Sequence, residues 1–291
     1  MLTVPKRLLD LPNVTILNHI KGGYLIKKEL SEPVLARTSY LSMHAITMVT
    51  AGTQHLRTDG GAVYEVKASN MAFLQKGMYT VSDLMKLENG FEVYLIYVDD
   101  AYLSSIIPDL TPLVPTKKPS TIYPTLTVPP VVEHYLKSYE ALPQVLFERQ
   151  PALAEIKFRE FFLLMDAILP PGELATRLNA LLKTPVGNLR QVMERHFDKP
   201  LTIGDYAYLT GRSESTFRRE FKQRFGTSPR QWLIEKRLSK AHELLKESRQ
   251  DAVADIALQV GYEHVSHFIQ AFKRQYGCTP GDFQGAVFSK G

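Results

Sequence analysis

The C-terminal third of the chain contains the same unit twice, and this repeat constrains the fold more than any other feature. The first copy carries Asp205, Ala207 and Gly211, and the second repeats them as Asp255, Ala257 and Gly261. Each copy then continues with an aromatic series and a Gly-x-Ser/Thr-Pro turn. The offset is 50 residues in the front half and 51 in the back half, so the second copy holds one extra residue. Self-similarity of this length indicates one duplicated structural unit.

The spacing within each copy predicts two helices joined by a tight turn. Thr202 or Asp251 can cap a short first helix, and Gly211 and Gly261 suit a turn that needs positive φ. The longer second helix has aromatic residues at i, i+4 and i+8 on one buried face; they are Phe217, Phe221 and Phe225 in the first copy and Phe268, Phe272 and Tyr276 in the second. Such a pair of helices is a helix-turn-helix. A helical repeat used for protein contacts is the alternative.

The segment between the copies, Gln231–Glu247, has an apolar stripe and predicts a connecting helix. At ~1.5 Å per residue it spans about 25 Å. That length can hold two recognition helices about one DNA turn apart, ~34 Å. Residues 186–291 carry 17 Lys+Arg against 12 Asp+Glu, which accounts for the whole net charge of +5. This basic footprint suits a polyanionic partner.

The first hundred residues have the pattern of short strands separated by turns. The predicted strands are Ala45–Thr50, Ala62–Val66, Met71–Leu74 and Phe91–Val98. Turn signals lie between them, at Ala51-Gly52, Asp59-Gly60-Gly61, Lys76-Gly77 and Asn89-Gly90. Several short strands at this spacing favour a sandwich or small barrel. We therefore expect a cupin-like or jelly-roll barrel here, and an α+β protein overall.

Helices are predicted near Val131–Leu142 and Pro151–Leu169, after a proline-dense stretch over residues 108–130 in which we expect little regular structure. The second helix has a wide apolar face that includes Phe161. Two interpretations stay open: the face packs on the barrel, or residues 151–169 form a homodimer contact. In the second case Phe161→Asp would weaken the dimer.

Several classes of function and site find no support in the sequence. The single cysteine, Cys278, excludes an internal disulfide and a thiolate-rich zinc site, and a lone thiol suits the cytoplasm. His44 and His55 do not form an H-x-H pair, and no Ser/His/Asp, GxGxxG or P-loop motif occurs. No apolar run reaches the ~18–20 residues of a membrane helix, and we read no signal peptide at the N-terminus. We expect no catalytic residues, no cofactor, no metal and no membrane partner.

Three segments near the C-terminus closely resemble the signature of the AraC/XylS family of bacterial transcription regulators. They are Arg237-Leu-Ser-Lys-Ala241-His-Glu-Leu244-Leu245, Asp255-Ile256-Ala257-Leu-Gln-Val-Gly261-Tyr262 and His267-Phe268-Ile-Gln-Ala-Phe272-Lys273-Arg274-Gln-Tyr276-Gly277-Cys-Thr279-Pro280. The match covers about residues 186–284. It departs from the family at Tyr262, where phenylalanine is usual, and at Gln284, where arginine is common. The stretch 73–82 resembles members related to type III secretion activators.

The resemblance implies which residues meet DNA. The recognition helices would be about Glu214–Arg224 and Val265–Tyr276. Carried over by position, the first presents Ser215, Thr216, Arg218, Arg219 and Lys222, and the second presents His264, Ser266, His267, Gln270 and Arg274. Arginine can bind guanine and glutamine can bind adenine, each through two hydrogen bonds, so we expect base contacts from Arg218, Arg219 and Gln270. Phosphate contacts are expected from Arg212, Lys222, Lys273 and Arg274. The first helix should therefore dominate the choice of sequence.

The expected organisation is a regulatory or dimerisation domain over residues 1–172, a linker over 173–185 and a DNA-binding domain over 186–291. The resemblance implies a sequence-specific regulator, by family expectation an activator, whose partners are double-stranded DNA and RNA polymerase. Whether the N-terminal domain responds to a small-molecule effector or to a regulatory protein stays open. A non-regulatory architectural protein is the alternative, and it would show little sequence preference and a steep salt dependence.

Overall fold

A computed structural model describes residues 2–85, 90–112, 125–183, 188–247 and 251–288. The chain divides into two compact units, residues 1–183 and 184–291. Among the described residues, every helix is too short or too polar to span a lipid bilayer. Asn89 and the prolines between positions 113 and 124, on which some predictions fall, lie outside the described residues.

The first unit is built on eleven strands in the part of the chain that the structure describes. They are β1 Leu2–Val4, β2 Val14–Ile20, β3 Gly23–Leu30, β4 Val34–Leu41, β5 His44–Ala51, β6 Thr53–Thr58, β7 Val63–Lys67, β8 Asn70–Leu74, β9 Gly77–Leu84, β10 Phe91–Val98 and β11 Leu126–Thr127. The four strands predicted from the sequence are β5, β7, β8 and β10, and each is confirmed to within one residue at either end.

These strands form two sheets that face each other. One has the order β1-β4-β9-β6-β7 and the other the order β11-β8-β5-β10-β3-β2. All neighbours pair antiparallel except β1 and β4, which are parallel. The apolar core between the sheets draws on both of them. The cupin-like, jelly-roll architecture that the sequence predicted is confirmed.

Strand β10 shows how the period of two residues creates two separate cores. Val93 and Leu95 are buried between the two sheets. Tyr94 and Ile96 are buried on the opposite face, against a layer of helices. Because successive side chains of a strand point to opposite faces, a strand buried on both sides is apolar throughout. The unit therefore has three layers, two sheets and one layer of helices.

The helical layer of the first unit contains five α-helices among the described residues. They are α1 Asp100–Ile106, α2 Pro130–Ser138, α3 Gln144–Arg149, α4 Pro151–Ile168 and α5 Glu173–Leu181, with 3₁₀ turns at Ile107–Asp109 and Tyr139–Ala141. The two predicted helices are present as α2 and α4. Phe158, Phe161 and Phe162 of α4 are buried in the core on the six-stranded sheet. The wide apolar face of α4 therefore packs within its own unit.

The expected linker over residues 173–185 is wrong for most of its length. Residues 173–181 form helix α5, and Leu174, Leu178 and Leu181 are fully buried in the first unit's core. Gly172 adopts a positive φ of 76° at the start of this helix. The Pro-Pro-Gly sequence thus turns the chain between two packed helices and does not end the domain. Residues 184–187 lie outside the described residues.

The second unit is entirely helical where it is described. Its helices are α6 Leu189–His196, α7 Ile203–Leu209, α8 Glu214–Phe225, α9 Pro229–Glu247, α10 Val253–Gln259, α11 Val265–Tyr276 and α12 Pro280–Phe288. Helices α7 and α8 form one helix-turn-helix, α10 and α11 form the other, and α9 joins them. Both recognition helices lie where the sequence predicted them.

The caps of the two short helices differ, although their sequences are related. The Thr202 hydroxyl accepts a hydrogen bond from the Asp205 backbone N–H, and the Asp205 carboxylate accepts one from the Thr202 backbone N–H, which completes a capping box. The expected cap Asp251 is not at the N-cap of α10. That position is Ala252, which has no side chain able to cap. In the turns, Gly211 and Gly261 adopt φ values of 73° and 94°, as predicted.

Arg237, in the middle of α9, joins the two helix-turn-helix units. Its guanidinium donates to the backbone carbonyls of Phe197 and Lys199, at 2.6 Å each, in the loop that leads into the first helix-turn-helix. It also donates to the Gly261 carbonyl at 3.0 Å, in the turn of the second. A Cβ on Gly261 would lie 2.8 Å from the Asp198 carbonyl oxygen. The close approach of these two backbones therefore requires glycine at position 261.

Asp198 supports the same junction through charge. Its carboxylate accepts a hydrogen bond from Lys240 of α9 at 2.7 Å and lies 3.2 Å from the ammonium of Lys199. Burial acts to raise the pKa of Asp198, but the Lys240 hydrogen bond and the Lys199 charge outweigh it and lower that pKa. The carboxylate thus stays ionised and tethers the loop to α9.

We predict that Arg237→Ala destabilises the second unit by about 2–4 kcal/mol, because three carbonyls lose a charged donor. Guanidinium chloride unfolding followed by the fluorescence of Trp232, the only tryptophan, measures this unit selectively. Arg230→Ala is the control, since Arg230 is an exposed arginine on the same helix and should shift the midpoint little. Equal midpoints for the two variants would contradict the proposed role of Arg237.

Candidate nucleic-acid interface

Helix α8 separates a buried face from a polar one. Phe217 and Phe221 are fully buried beneath it. Ser215 and Arg219 are exposed, and each is two residues away from a buried phenylalanine. Two residues correspond to about 200° around a helix of 3.6 residues per turn. Ser215 and Arg219 therefore face away from the core, where a DNA groove can be reached.

The basic residues of the first helix-turn-helix that are expected to contact DNA differ in their hydrogen-bond partners. Arg218 donates through Nε to Glu214 at 3.0 Å, one turn earlier on the same helix. Arg212 donates through Nε to Glu220 at 2.7 Å. Lys222 is exposed. Arg218 and Arg212 are thus already held by carboxylates, whereas Arg219 makes no side-chain hydrogen bond within the described residues.

Gln223 is a candidate that the sequence reasoning missed. It is exposed and follows Arg219 by four residues, so the two side chains share one face of α8. It also follows the buried Phe221 by two residues, as Arg219 follows Phe217. This spacing of two residues from a buried phenylalanine could have identified Gln223. It was missed because the contacts predicted for this helix were mainly those of cationic side chains.

Helix α11 repeats this arrangement. Phe268 and Phe272 are fully buried, and Ser266, Gln270 and Arg274 are exposed on the opposite face. The structure therefore brings these three predicted residues together on one face.

The remaining predicted residues lie around these two faces. His264 occupies the N-cap position of α11 without a side-chain cap, and its ring centroid lies 5.3 Å from that of His267. Lys273 is exposed in the last turn, as its counterpart Lys222 is in α8. Thr216 is half-buried and accepts a hydrogen bond from Ser213 at 2.9 Å.

The interior of the barrel is the second candidate site, for an effector. Lys28 forms an ion pair with Asp83, and both are buried. Asp83 also accepts from Gln54 at 2.8 Å, and Gln54 accepts from Thr47 at 2.8 Å. The cavity beside this chain of polar groups has a volume of about 50 Å³. In the described part of the chain, no group of three or more His, Cys, Asp or Glu side chains is placed to hold a metal.

An apolar strip lies on the outer face of the helical layer. Ile156 and Leu163 of α4 are 64% and 42% exposed, and the neighbouring Leu153 is also exposed. Their spacing places them on one side of α4, away from its buried phenylalanines. Val145 and Leu146 of α3, a helix that contacts α4, are exposed as well.

Two family models match the chain. The model of a helix-turn-helix domain matches residues 206–286. The model of the ExsA N-terminal regulatory domain matches residues 44–173. The matched segments lie in the second and first units of the structure, respectively.

Curated relatives cover different shares of the chain. The HTH-type transcriptional regulator ExsA of Pseudomonas aeruginosa is 34% identical over 137 residues, 47% of this chain and 49% of ExsA, so that match spans about half of the relative. The thermoregulatory protein LcrF of Yersinia pestis is 28% identical over 76% of this chain and 81% of its own length. The virulence regulon transcriptional activator VirF of Yersinia enterocolitica is 25% identical over 88% of this chain and 94% of its own length.

Similar solved structures include apo ToxT of Vibrio cholerae, which is 14% identical and has a TM-score of 0.45 over 93% of this chain and 99% of its own. The C-terminal domain of the response regulator yesN of Fusobacterium nucleatum is 29% identical and has a TM-score of 0.32 over 33% of this chain and 93% of its own.

The duplicated helix-turn-helix, the AraC/XylS signature residues around Arg237 and Gly261, and the two family matches agree. The chain belongs to the AraC/XylS family of DNA-binding transcriptional regulators and carries an N-terminal regulatory domain.

Proposed function

We propose that the chain activates transcription from the cytoplasm by binding two adjacent major grooves of double-stranded DNA through α8 and α11. The observation that carries this proposal is the exposed polar face that each recognition helix presents opposite its buried phenylalanines. Helix α9 and the Arg237 hydrogen bonds support a fixed separation of the two helices. The activator role is supported by the similarity to VirF, a transcriptional activator, and RNA polymerase is the partner that such a role requires.

Selection of DNA by the full-length chain from a randomised duplex pool tests the proposal. The bound DNA is sequenced after several rounds, and we expect one motif with two half-sites about a helical turn, ~34 Å, apart. Recovery of no motif, with binding that weakens steeply as salt increases, would instead indicate an architectural protein that contacts only phosphates.

Within this interface we propose different roles for the exposed residues. Arg219 donates to a guanine and Gln270 pairs with an adenine. Lys222 and Lys273 occupy equivalent positions and contact phosphates. Arg218 and Arg212 reach DNA only by exchanging their carboxylate partners for phosphates. The other candidates lie in α8, in α11 or at the N-cap of α11, and we propose that they add hydrogen bonds; they are Ser215, Thr216, His264, Ser266 and His267.

We predict that Arg219→Ala lowers the affinity for the selected site about tenfold or more, and more than Gln270→Ala does. The reason is that arginine makes charge-assisted hydrogen bonds, which are roughly twice as strong as neutral ones. Fluorescence anisotropy titrations of a labelled duplex provide the two dissociation constants. Arg149→Ala, an exposed position in the first unit, serves as control. Equal losses for the Arg219 and Gln270 variants would contradict this order.

We propose that the first unit is controlled by a protein contact and not by a small molecule inside the barrel. Binding pockets for small molecules usually measure about 300–1,000 Å³, far more than the cavity next to Asp83. The polar groups there also satisfy each other, since Lys28, Gln54 and Thr47 form one chain of hydrogen bonds with Asp83.

We also propose that a second copy of the chain contacts the apolar strip on α3 and α4. The expectation that Phe161 belongs to a dimer surface does not fit its place in the core, where it is 3% exposed. Helix α4 carries apolar residues on both sides: Phe161 faces the sheet, while Ile156 and Leu163 face outward. Exposed apolar residues gathered on one surface are typical of protein contacts.

We predict that Ile156→Asp and Leu163→Asp each weaken self-association, because a charge would be buried at the contact. Sedimentation velocity at several concentrations measures the change. Leu35→Asp is the matched control, since Leu35 is 69% exposed on a strand of the same unit. A dimer that forms equally well in all three variants would exclude this surface.

A further inference from the structure

The two recognition helices carry the same three side-chain types on their exposed faces, but in a different order. Equivalent positions are 51 residues apart. From N-terminus to C-terminus, α8 has Ser215, Arg219 and Gln223, and α11 has Ser266, Gln270 and Arg274. The serines are equivalent, while the arginine and the glutamine have exchanged places.

Several features around these positions are the same in both helices. In each helix, two fully buried phenylalanines hold the opposite face, Phe217 and Phe221 in α8 and Phe268 and Phe272 in α11. An exposed lysine precedes the third position in both, at Lys222 and Lys273. Both helices end at a glycine with φ near 75°. Among these three positions, the order of arginine and glutamine is therefore the chemical difference between the two reading faces.

All four of these side chains are available for contacts with bases. Arg219, Gln223, Gln270 and Arg274 are exposed, and within the described residues none makes a side-chain hydrogen bond. Arg218, by contrast, is held by Glu214, and its equivalent in α11 is the uncharged Ile269. In each helix, therefore, one exposed arginine has a glutamine at the equivalent position of the other helix. Arg219 corresponds to Gln270, and Arg274 corresponds to Gln223.

Arginine and glutamine recognise different purines. Arginine donates two hydrogen bonds to O6 and N7 of guanine, and glutamine pairs with N6 and N7 of adenine. Four residues along a helix advance it by about 6 Å, which corresponds to roughly two base-pair steps of ~3.4 Å. Each helix can therefore read one guanine and one adenine about two steps apart.

We propose that the two half-sites differ by the exchange of a guanine and an adenine. Along the direction of α8 the guanine comes first, opposite Arg219, and the adenine follows, opposite Gln223. Along α11 the adenine comes first, opposite Gln270, and the guanine follows, opposite Arg274. Arg274 then reads a base, and the two helices contribute comparably to sequence choice, which replaces the expectation that the first dominates. This inference rests on the proposed function.

Exchanging the two residues within one helix tests this directly. The double variant Arg219→Gln with Gln223→Arg gives α8 the order of α11, and Gln270→Arg with Arg274→Gln gives α11 the order of α8. Neither changes the composition or the net charge, so folding and salt-dependent binding to unrelated DNA should stay as in the wild type. Arg230→Gln with Gln231→Arg makes the same exchange on α9, outside both reading faces, and is the control.

Each protein is used in full length for selection from a randomised duplex pool, and the enriched motifs are compared. We expect the α8 variant to prefer two like half-sites of the α11 type, the α11 variant to prefer two of the α8 type, and the control to keep the wild-type motif. Each variant should bind its own motif about tenfold or more tightly than the wild-type motif. A wild-type motif that neither exchange alters overturns the inference but leaves the proposed function intact. Failure of the wild type to enrich any motif overturns the proposed function itself.

Discussion

The guanidinium of Arg237 is the contact on which the geometry of the DNA-binding unit depends. It donates to carbonyls at the entry of the first helix-turn-helix and in the turn of the second. Charged hydrogen bonds to backbone carbonyls fix main-chain positions and not only side chains. Since Gly261 allows these two backbones to approach closely, the two helix-turn-helix units, each with its own buried phenylalanines, are joined to each other. A protein with two linked readers needs such a joint, because the separation of the recognition helices decides which bases they reach together.

The same physical rule assigns roles along both halves of the chain. In the barrel, the period of two residues sends Val93 to one core and Tyr94 to the other. In α8 and α11, the helical period places phenylalanines inward and polar side chains outward. Helix α4 follows neither simple pattern, since it buries Phe161 and exposes Ile156. An amphipathic helix keeps one face polar, and the exposed apolar residues of α4 are the reason that we propose a contact with a second copy of the chain.

The sequence predicted those parts of the structure that require a particular residue type at a particular position. The turn glycines, the recognition helices and four strands were predictable, because glycine at positive φ, phenylalanines four apart and alternating apolar residues each leave a signature. The hydrogen bonds of Arg237 could not be predicted from the sequence, because their acceptors are backbone carbonyls that any residue supplies. Helix α5 was not predicted, because Pro170 and Pro171 suggested that the domain ends there. Leu174 and Leu178 in fact belong to the core of the first unit. Gln223 was missed because the contacts expected in its helix were mainly cationic.

We propose that both helix-turn-helix units bind one DNA molecule at the same time and with a fixed separation. The most direct test is the affinity of the full-length chain for duplexes in which the two half-sites are moved apart by about half a helical turn and then by a whole turn. We expect a large loss of affinity at half a turn, because the second half-site then lies on the wrong side of the DNA for two recognition helices held at a fixed separation. Equal affinity at every separation would mean that the two units bind independently, and would contradict the proposal.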